Sequence, residues 1–164
     1  IFNLLGPLTN PANAKRQLIG VYSESLVEPM AKALANLGTE RAMVVHGLDG
    51  LDEISIGAPT RVAHVERHVI RIDTIHPDRV GLRNATLDQL RADSLERAAE
   101  LFKDILAGEP GPTRDIVLIN AAAALVVGAA APDLAVGVRM CQNAIDEGDA
   151  SRTLARLVEV SHSR

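Results

Sequence analysis

Two rhythms of apolar and polar residues alternate along the chain. Residues 17–22 (QLIGVY) form a short continuous apolar run, the pattern of a buried strand. Leu26, Met30, Leu34 and Leu37 then recur at helical intervals, Pro29 falls near the first turn, and Gly38 supplies a stop. Ser25 and Glu28 have the spacing of a capping box for this helix. A second apolar run, residues 42–46 (AMVVH), follows. Strand, helix and strand in that order predict a βαβ unit, hence parallel strands joined by a right-handed crossover.

Beyond residue 46 the pattern changes. Residues 47–57 (GLDGLDEISIG) read as a loop rich in glycine and acid. Residues 60–65 and 68–75 alternate as strands do, joined tightly around Glu66 and Arg67 as a hairpin or an edge extension. His76, Pro77 and Asp78 break that pattern, and residues 80–84 read as loop. A helix is predicted from Asp93, with Glu96 as its capping-box partner and an apolar stripe of Leu95, Ala98, Ala99, Phe102, Ile105 and Leu106. The breaker GEPGP precedes an almost wholly apolar helix over residues 114–129, expected to be buried. Pro132 is placed as the first residue of a further helix ending at Gly148, and residues 151–160 as a last one with Leu154, Leu157 and Val158 inward. The sum is α/β architecture. Residues 1–164 are expected to form one unit, part of a mostly parallel sheet flanked by helices.

Composition narrows the functions available. Aromatics make up 2% of the residues and Trp is absent, which argues against a stacking platform for single-stranded nucleic acid. The formal charge of −4 gives no general attraction for a phosphate backbone. A phosphorylated small molecule would have to be held by local dipoles, a metal or a few basic groups. The single cysteine, Cys141, excludes an internal disulfide, fits a reducing cytosol, and reads as a small core residue rather than a nucleophile. No apolar run reaches membrane-spanning length.

Candidate chemistry gathers after the second strand. Ligands of open α/β sheets collect at the carboxyl ends of parallel strands. Asp49, Asp52 and Glu53 lie there, among Gly47 and Gly50. In a turn loosened by glycine, adjacent carboxylates can approach one or two hard cations. Mg2+ accepts one or two carboxylates, keeps several waters and bridges to phosphates. A bare acidic turn is more often plain solvated surface, so the pair alone is a weak signal. The segment Gly6-Pro7-Leu8-Thr9-Asn10-Pro11 is stiffened by two prolines, and its N–H groups with Thr9 and Asn10 could meet an anion, though on physical grounds alone a structural turn joining two elements is favoured. Asn120, alone inside an apolar helix, needs partners and is expected to tie that helix to a nearby loop, the alternative being that it faces a site. His46 reads as a hydrogen-bonded histidine at a strand end, and His64, His68 and His76 lack metal-ligand spacing. Lys15, Arg16 and Arg83 are isolated basic residues of the kind usually found solvated.

Three stretches carry a family resemblance: residues 2–11 (FNLLGPLTNP), 45–53 (VHGLDGLDE) and 118–125 (LINAAAAL). In order and spacing they resemble the anthranilate phosphoribosyltransferases, from Ile1 to about the final helix. The resemblance implies a larger α/β domain joined to a small helical one, in the nucleoside phosphorylase and phosphoribosyltransferase type of fold. It implies transfer of the phosphoribosyl group of phosphoribosyl pyrophosphate to the amine of anthranilate in tryptophan biosynthesis, with release of pyrophosphate. It further implies Mg2+ held by Asp52 and Glu53, a substrate cleft near Gly6, Pro7, Thr9 and Asn10, a cytoplasmic enzyme, and usually a homodimer. The family's glycine-rich GTGGD loop, its KHGN segment, its anthranilate-contacting arginine and its helical dimerisation domain are absent from these residues. The expectation is therefore that further sequence precedes Ile1 and that this chain alone has no turnover. Two other readings are a same-fold nucleoside phosphorylase and a non-catalytic nucleic-acid-binding homologue. FNLLGPLTNP leans against the first, and the acidic balance with Asp52-Glu53 leans against the second.

Overall fold

The structure, a computed structural model, describes residues 6–9, 11–12 and 14–163. The apolar segment expected at residues 1–5, and Asn10, lie outside the described residues. Four strands form one sheet in the order β1 (Arg16–Gly20), β2 (Arg41–Gly47), β3 (Thr60–Glu66), β4 (Val69–Ile75). Helix α1 (Val27–Asn36) links β1 to β2. After β4 come α2 (Leu95–Leu106), α3 (Pro112–Val127), α4 (Leu134–Asp146) and α5 (Asp149–His162). None of the described helices is long and apolar enough to cross a membrane.

The βαβ unit is present: β1 and β2 pair in parallel, with Gly20 opposite Val45. The rest of the sheet departs from the mostly parallel expectation, because β2–β3 and β3–β4 both pair antiparallel. A parallel return needs a crossover of about a dozen or more residues, usually helical. The loop after β2 folds back on its own strand instead, and only Arg67 and His68 separate β3 from β4, with Arg67 left-handed at φ 55°.

Side chains alternate across the pleat and create two cores. On one face Ala42, Val44, Ala63 and Val65 meet Val27, Met30, Ala31 and Leu34 of α1. On the other, Met43, Val45 and Val62 meet Leu118, Ile119, Ala122 and Ala123 of α3 and Val138 of α4. The result is a three-layer α/β/α arrangement with β2 buried along its length. Helices α3 and α4 cross closely, since a Cβ on Gly137 would lie 2.9 Å from that of Ala122. Cys141 packs half-buried against this core, and burial pushes its thiol pKa up.

Helix ends moved by a residue or two. Ser25 and Glu28 do not form a capping box; Ser23 and Ser25 share a hydrogen bond, and a 3-10 turn (Glu24–Leu26) leads into α1. At its other end Gly38 is left-handed, and the N–H groups of Thr39 and Gly38 donate to Leu34 and Ala35, closing the helix. Ser94, not Asp93, caps α2 by accepting from the Arg97 N–H at 3.0 Å. Asp133, not Pro132, begins α4, accepting from Val136. Thr86 and Gln89 make a capping box on a 3-10 turn (Leu87–Leu90) that the periodicity did not suggest.

Three burial expectations fail. Only one face of α3 is buried. The stripe of α2 is largely exposed, with Leu95 at 81% and Phe102 at 51%, because no described residue covers it. On α5, Leu157 and Val158 are likewise exposed and Leu154 alone is half-buried.

Candidate functional site

Residues 48–59 leave the end of β2 and return to β3 as a pinned loop. The Gly50 N–H donates to the Gly47 carbonyl, and Gly50 takes φ 97°, a conformation that favours glycine. The Gly47 N–H donates to Leu51 at 2.8 Å, and the Leu48 N–H to Pro59 at 2.9 Å. Inside this frame the Ser55 hydroxyl donates to Asp49 Oδ2 at 2.6 Å and accepts from the Gly57 N–H at 2.9 Å. The other oxygen of Asp49 accepts from the Leu51 N–H, and the Thr60 hydroxyl accepts from the Ser55 N–H. Ile54, Ser55, Ile56 and Thr60 are fully buried.

The loop sorts its three acids. Asp49 holds the loop together with both oxygens. Asp52 and Glu53 face solvent, and neither carboxylate has a hydrogen bond or an ion pair among the described residues. Burial of part of Glu53, and then the negative charge of Asp52, raise the Glu53 pKa above its ordinary value. The pair is thus an uncompensated patch of charge on a fixed backbone. Two residues contact the backbone that carries it. Gly20, at the end of β1, lies so close to the Asp52 carbonyl that a Cβ there would fall 1.5 Å from its oxygen. Asn120 of α3 accepts from the Ile54 N–H and donates to the Ile54 carbonyl, each at 2.9 Å. That is the tie between helix and loop expected of a lone amide in an apolar helix, and the side chain is half-buried.

His46 is buried and its Nδ1 donates to the Val21 carbonyl at 2.7 Å, as a strand-end histidine should. Arg16 is engaged by the Gly128 carbonyl and Glu40, a structural task. Gly6, Pro7 and Leu8 are helical, and the Thr9 N–H donates to the Gly6 carbonyl. Pro7 and Leu8 border Ala14, Gln17, Leu37 and Thr39, at the entry to β1. The acids flank the exit of β1, so the structure does not bring Pro7 together with Asp52-Glu53. Sequence reasoning missed Ser55, Thr60 and Gly20. Only Gly20 carried a signal, since an isolated glycine in a strand often marks a close backbone approach.

Among the described residues no group of three or more His, Cys, Asp or Glu side chains could hold a metal. Two free carboxylates nevertheless fit a hard cation that keeps water or phosphate oxygens as its remaining ligands.

A family model described as glycosyl transferase family, a/b domain, matches residues 1–151. The chain belongs to this glycosyl transferase family. Its curated relatives include the anthranilate phosphoribosyltransferase of Symbiobacterium thermophilum, 48% identical over 99% of this chain and 48% of that protein. The enzyme of that name from Rhodopseudomonas palustris (strain BisB5) is 49% identical over 98% of the chain and 48% of its own length. This glycosyl transferase chain thus spans about half the length of the curated relatives it matches. Among solved structures, anthranilate phosphoribosyltransferase from Thermus thermophilus superposes with a TM-score of 0.87 at 39% identity, covering 96% of this chain and 46% of that one. The Saccharomyces cerevisiae enzyme in complex with PRPP and Mg gives 0.85 at 29% identity, with the same coverage. A further structure of the yeast enzyme holds 4-fluoroanthranilate.

Proposed function

We propose that this glycosyl transferase chain is part of an anthranilate phosphoribosyltransferase, and that Asp52 and Glu53 are its metal-holding acids. The observation that carries the reading is the pair of free carboxylates on a backbone pinned at the exit of the parallel strands. The relatives' shared name and the yeast complex with PRPP and Mg support it.

In the reaction the bond from the ribose anomeric carbon to pyrophosphate breaks, and its electron pair leaves with the diphosphate. A bond from the anthranilate nitrogen to that carbon forms, and the amine proton passes to solvent. Mg2+, when bound, would supply positive charge where negative charge builds on the departing diphosphate. Asp52 and Glu53 would hold that charge in place as oxygen ligands. The pinned loop would keep both groups set before substrate arrives. Gly6, Pro7, Thr9 and Asn10 are assigned to the substrate cleft on their motif alone, and a cytoplasmic homodimer of the whole enzyme belongs to the same reading.

The test is Mn2+ binding to this chain, followed by electron paramagnetic resonance, with Asp52→Asn and Glu53→Gln combined. Affinity is expected to fall by at least about tenfold. In the full-length protein the same pair should slow the loss of anthranilate fluorescence and raise the Mg2+ concentration needed for half-maximal rate. Unaltered Mn2+ binding by the double variant would remove the acids from the site.

A further inference from the structure

The geometry points to Asn120 as a positioning residue for the Asp52-Glu53 site, a role that rests on the metal-holding reading above. Asn120 is half-buried on α3, beside Leu118, Ile119, Ala122 and Ala123, which are essentially inaccessible to solvent. A half-buried carboxamide beside that apolar face is accommodated because its groups are satisfied. Its Nδ2 donates to the Ile54 carbonyl at 2.9 Å and to the Ile116 carbonyl at 3.0 Å, and its Oδ1 accepts from the Ile54 N–H at 2.9 Å. Three of the four bonds an asparagine side chain can make are therefore formed.

The arrangement mimics a β-ladder step, with a side-chain amide standing in for the neighbouring strand. Both polar groups of the Ile54 backbone end on one side chain, and neither has a backbone partner among the described residues. The Ile54 nitrogen belongs to the peptide unit that also contains the Glu53 carbonyl. Fixing it fixes the direction in which Glu53, and Asp52 before it, leave the chain. The bond to Ile116 stops the carboxamide from turning, so orientation is passed from helix to loop. The other ties of the loop hold residues 47–51 and 55–60. The intervening acids depend on Asn120, with Gly20 standing against the Asp52 carbonyl.

Mn2+ affinity and amide exchange, measured on this chain, test the assignment. Asn120→Ala should weaken Mn2+ binding by about ten- to a hundredfold, the range seen when a partner behind a metal ligand is removed. It should also speed hydrogen exchange at Ile54 while leaving Gly57 protected. Asn120→Asp keeps the size and the bond from the Ile54 N–H but sets an oxygen against the Ile54 carbonyl, and should weaken binding as well. In the Asp52→Asn, Glu53→Gln background, the Asn120 changes should have no further effect on Mn2+, because a positioning residue acts only through what it positions. An effect independent of the acids would overturn the assignment. So would folded Asn120 variants that bind Mn2+ normally while the acid variant does not. If the acid variant binds normally, the metal-holding reading itself has failed. Should neither Asn120 variant fold, titration of the unaltered chain with Mg2+ decides: the Asn120 side-chain amide resonances should shift and Ile54 exchange should slow. Unchanged resonances and exchange would refute the role.

Discussion

Gly20→Ala probes where the acid loop sits. Gly20 has no positive φ, so its backbone accepts alanine and the whole penalty is steric. The new Cβ would fall 1.5 Å from the Asp52 carbonyl oxygen and 2.6 Å from its carbon. To reach an ordinary separation of 3.4 Å the carbonyl must retreat by about 1.9 Å, which is the difference of the two distances. Both atoms are backbone, so no rotamer change relieves the overlap. The loop cannot swing away freely, because Ile54 is bonded to Asn120 and its side chain is buried. Overpacking of this kind costs about 1–3 kcal/mol. For a chain of this size, about 2 kcal/mol corresponds to a fall in Tm of roughly 4–8 °C. The effect on the site should be larger than the effect on the fold. Misplacing a working group by about 1 Å can cost about a hundredfold in rate, and a displaced pair of ligands should lose Mn2+ affinity comparably. Calorimetry gives Tm and Mn2+ titration gives affinity. An alanine variant with unchanged Tm and unchanged Mn2+ binding would mean that Asp52 does not lie over the end of β1, and the described geometry would be wrong there.

Two further outcomes follow from the same structure. Ser55→Ala should destabilise the chain by about 1–3 kcal/mol in urea unfolding, since it strips a donor from Asp49 and an acceptor from the Gly57 N–H in a buried turn; a change below about 0.5 kcal/mol would count against that network. His64, between Met43 and Arg71 in the sheet, has a pKa lowered from 6.5 by burial and then by the Arg71 charge, with Asp73 opposing. As pH falls below about 6.5 the unfolded chain takes up the proton first, so stability should decline from there down to the folded pKa. His64→Gln should flatten that decline, and an unaltered pH profile would show that His64 is not its source.

The parts of the fold that were legible are those fixed locally. The βαβ unit follows from two apolar runs and one stripe, because strands buried on both faces leave no other use for such runs. Asn120 was legible as a tie, since a lone amide among Leu118, Ile119 and Ala122 must find partners. Caps were placed to within a residue or two and no better, and the Ser25–Glu28 box does not form. Asp93 and Ser94 can both cap, and the choice depends on where the chain turns from extended to helical. The stripe of α2 shows the opposite limit: periodicity identifies an apolar face but not what covers it, and Leu95 stays exposed. The antiparallel half of the sheet was legible only as one of two options at Glu66 and Arg67. Arg67 in a left-handed turn carries none of the glycine or asparagine that marks such hairpins. Within the loop, no rule of spacing distinguishes Asp49 from Asp52. Their roles diverge because the Ser55 hydroxyl lies 2.6 Å from one and not from the other.

That divergence bears on function through charge. On and beside the sheet Glu40 is paired with Arg16, Glu66 with Arg41, Glu28 with Arg61 and Asp73 with Arg71. Acids facing solvent around these strands readily find an arginine, each pair worth at most about 1 kcal/mol. Asp52 and Glu53 are adjacent, like-charged and partly desolvated at Glu53, and no cation answers them among the described residues. Stability alone would favour pairing them or spreading them apart. The backbone around them is instead held by Asp49, Ser55, Gly20 and Asn120, which suits the proposed metal-holding role. A fixed backbone that presents unpaired carboxylates is what the proposed cation site requires, beyond the stability that the Ser55 network gives the turn.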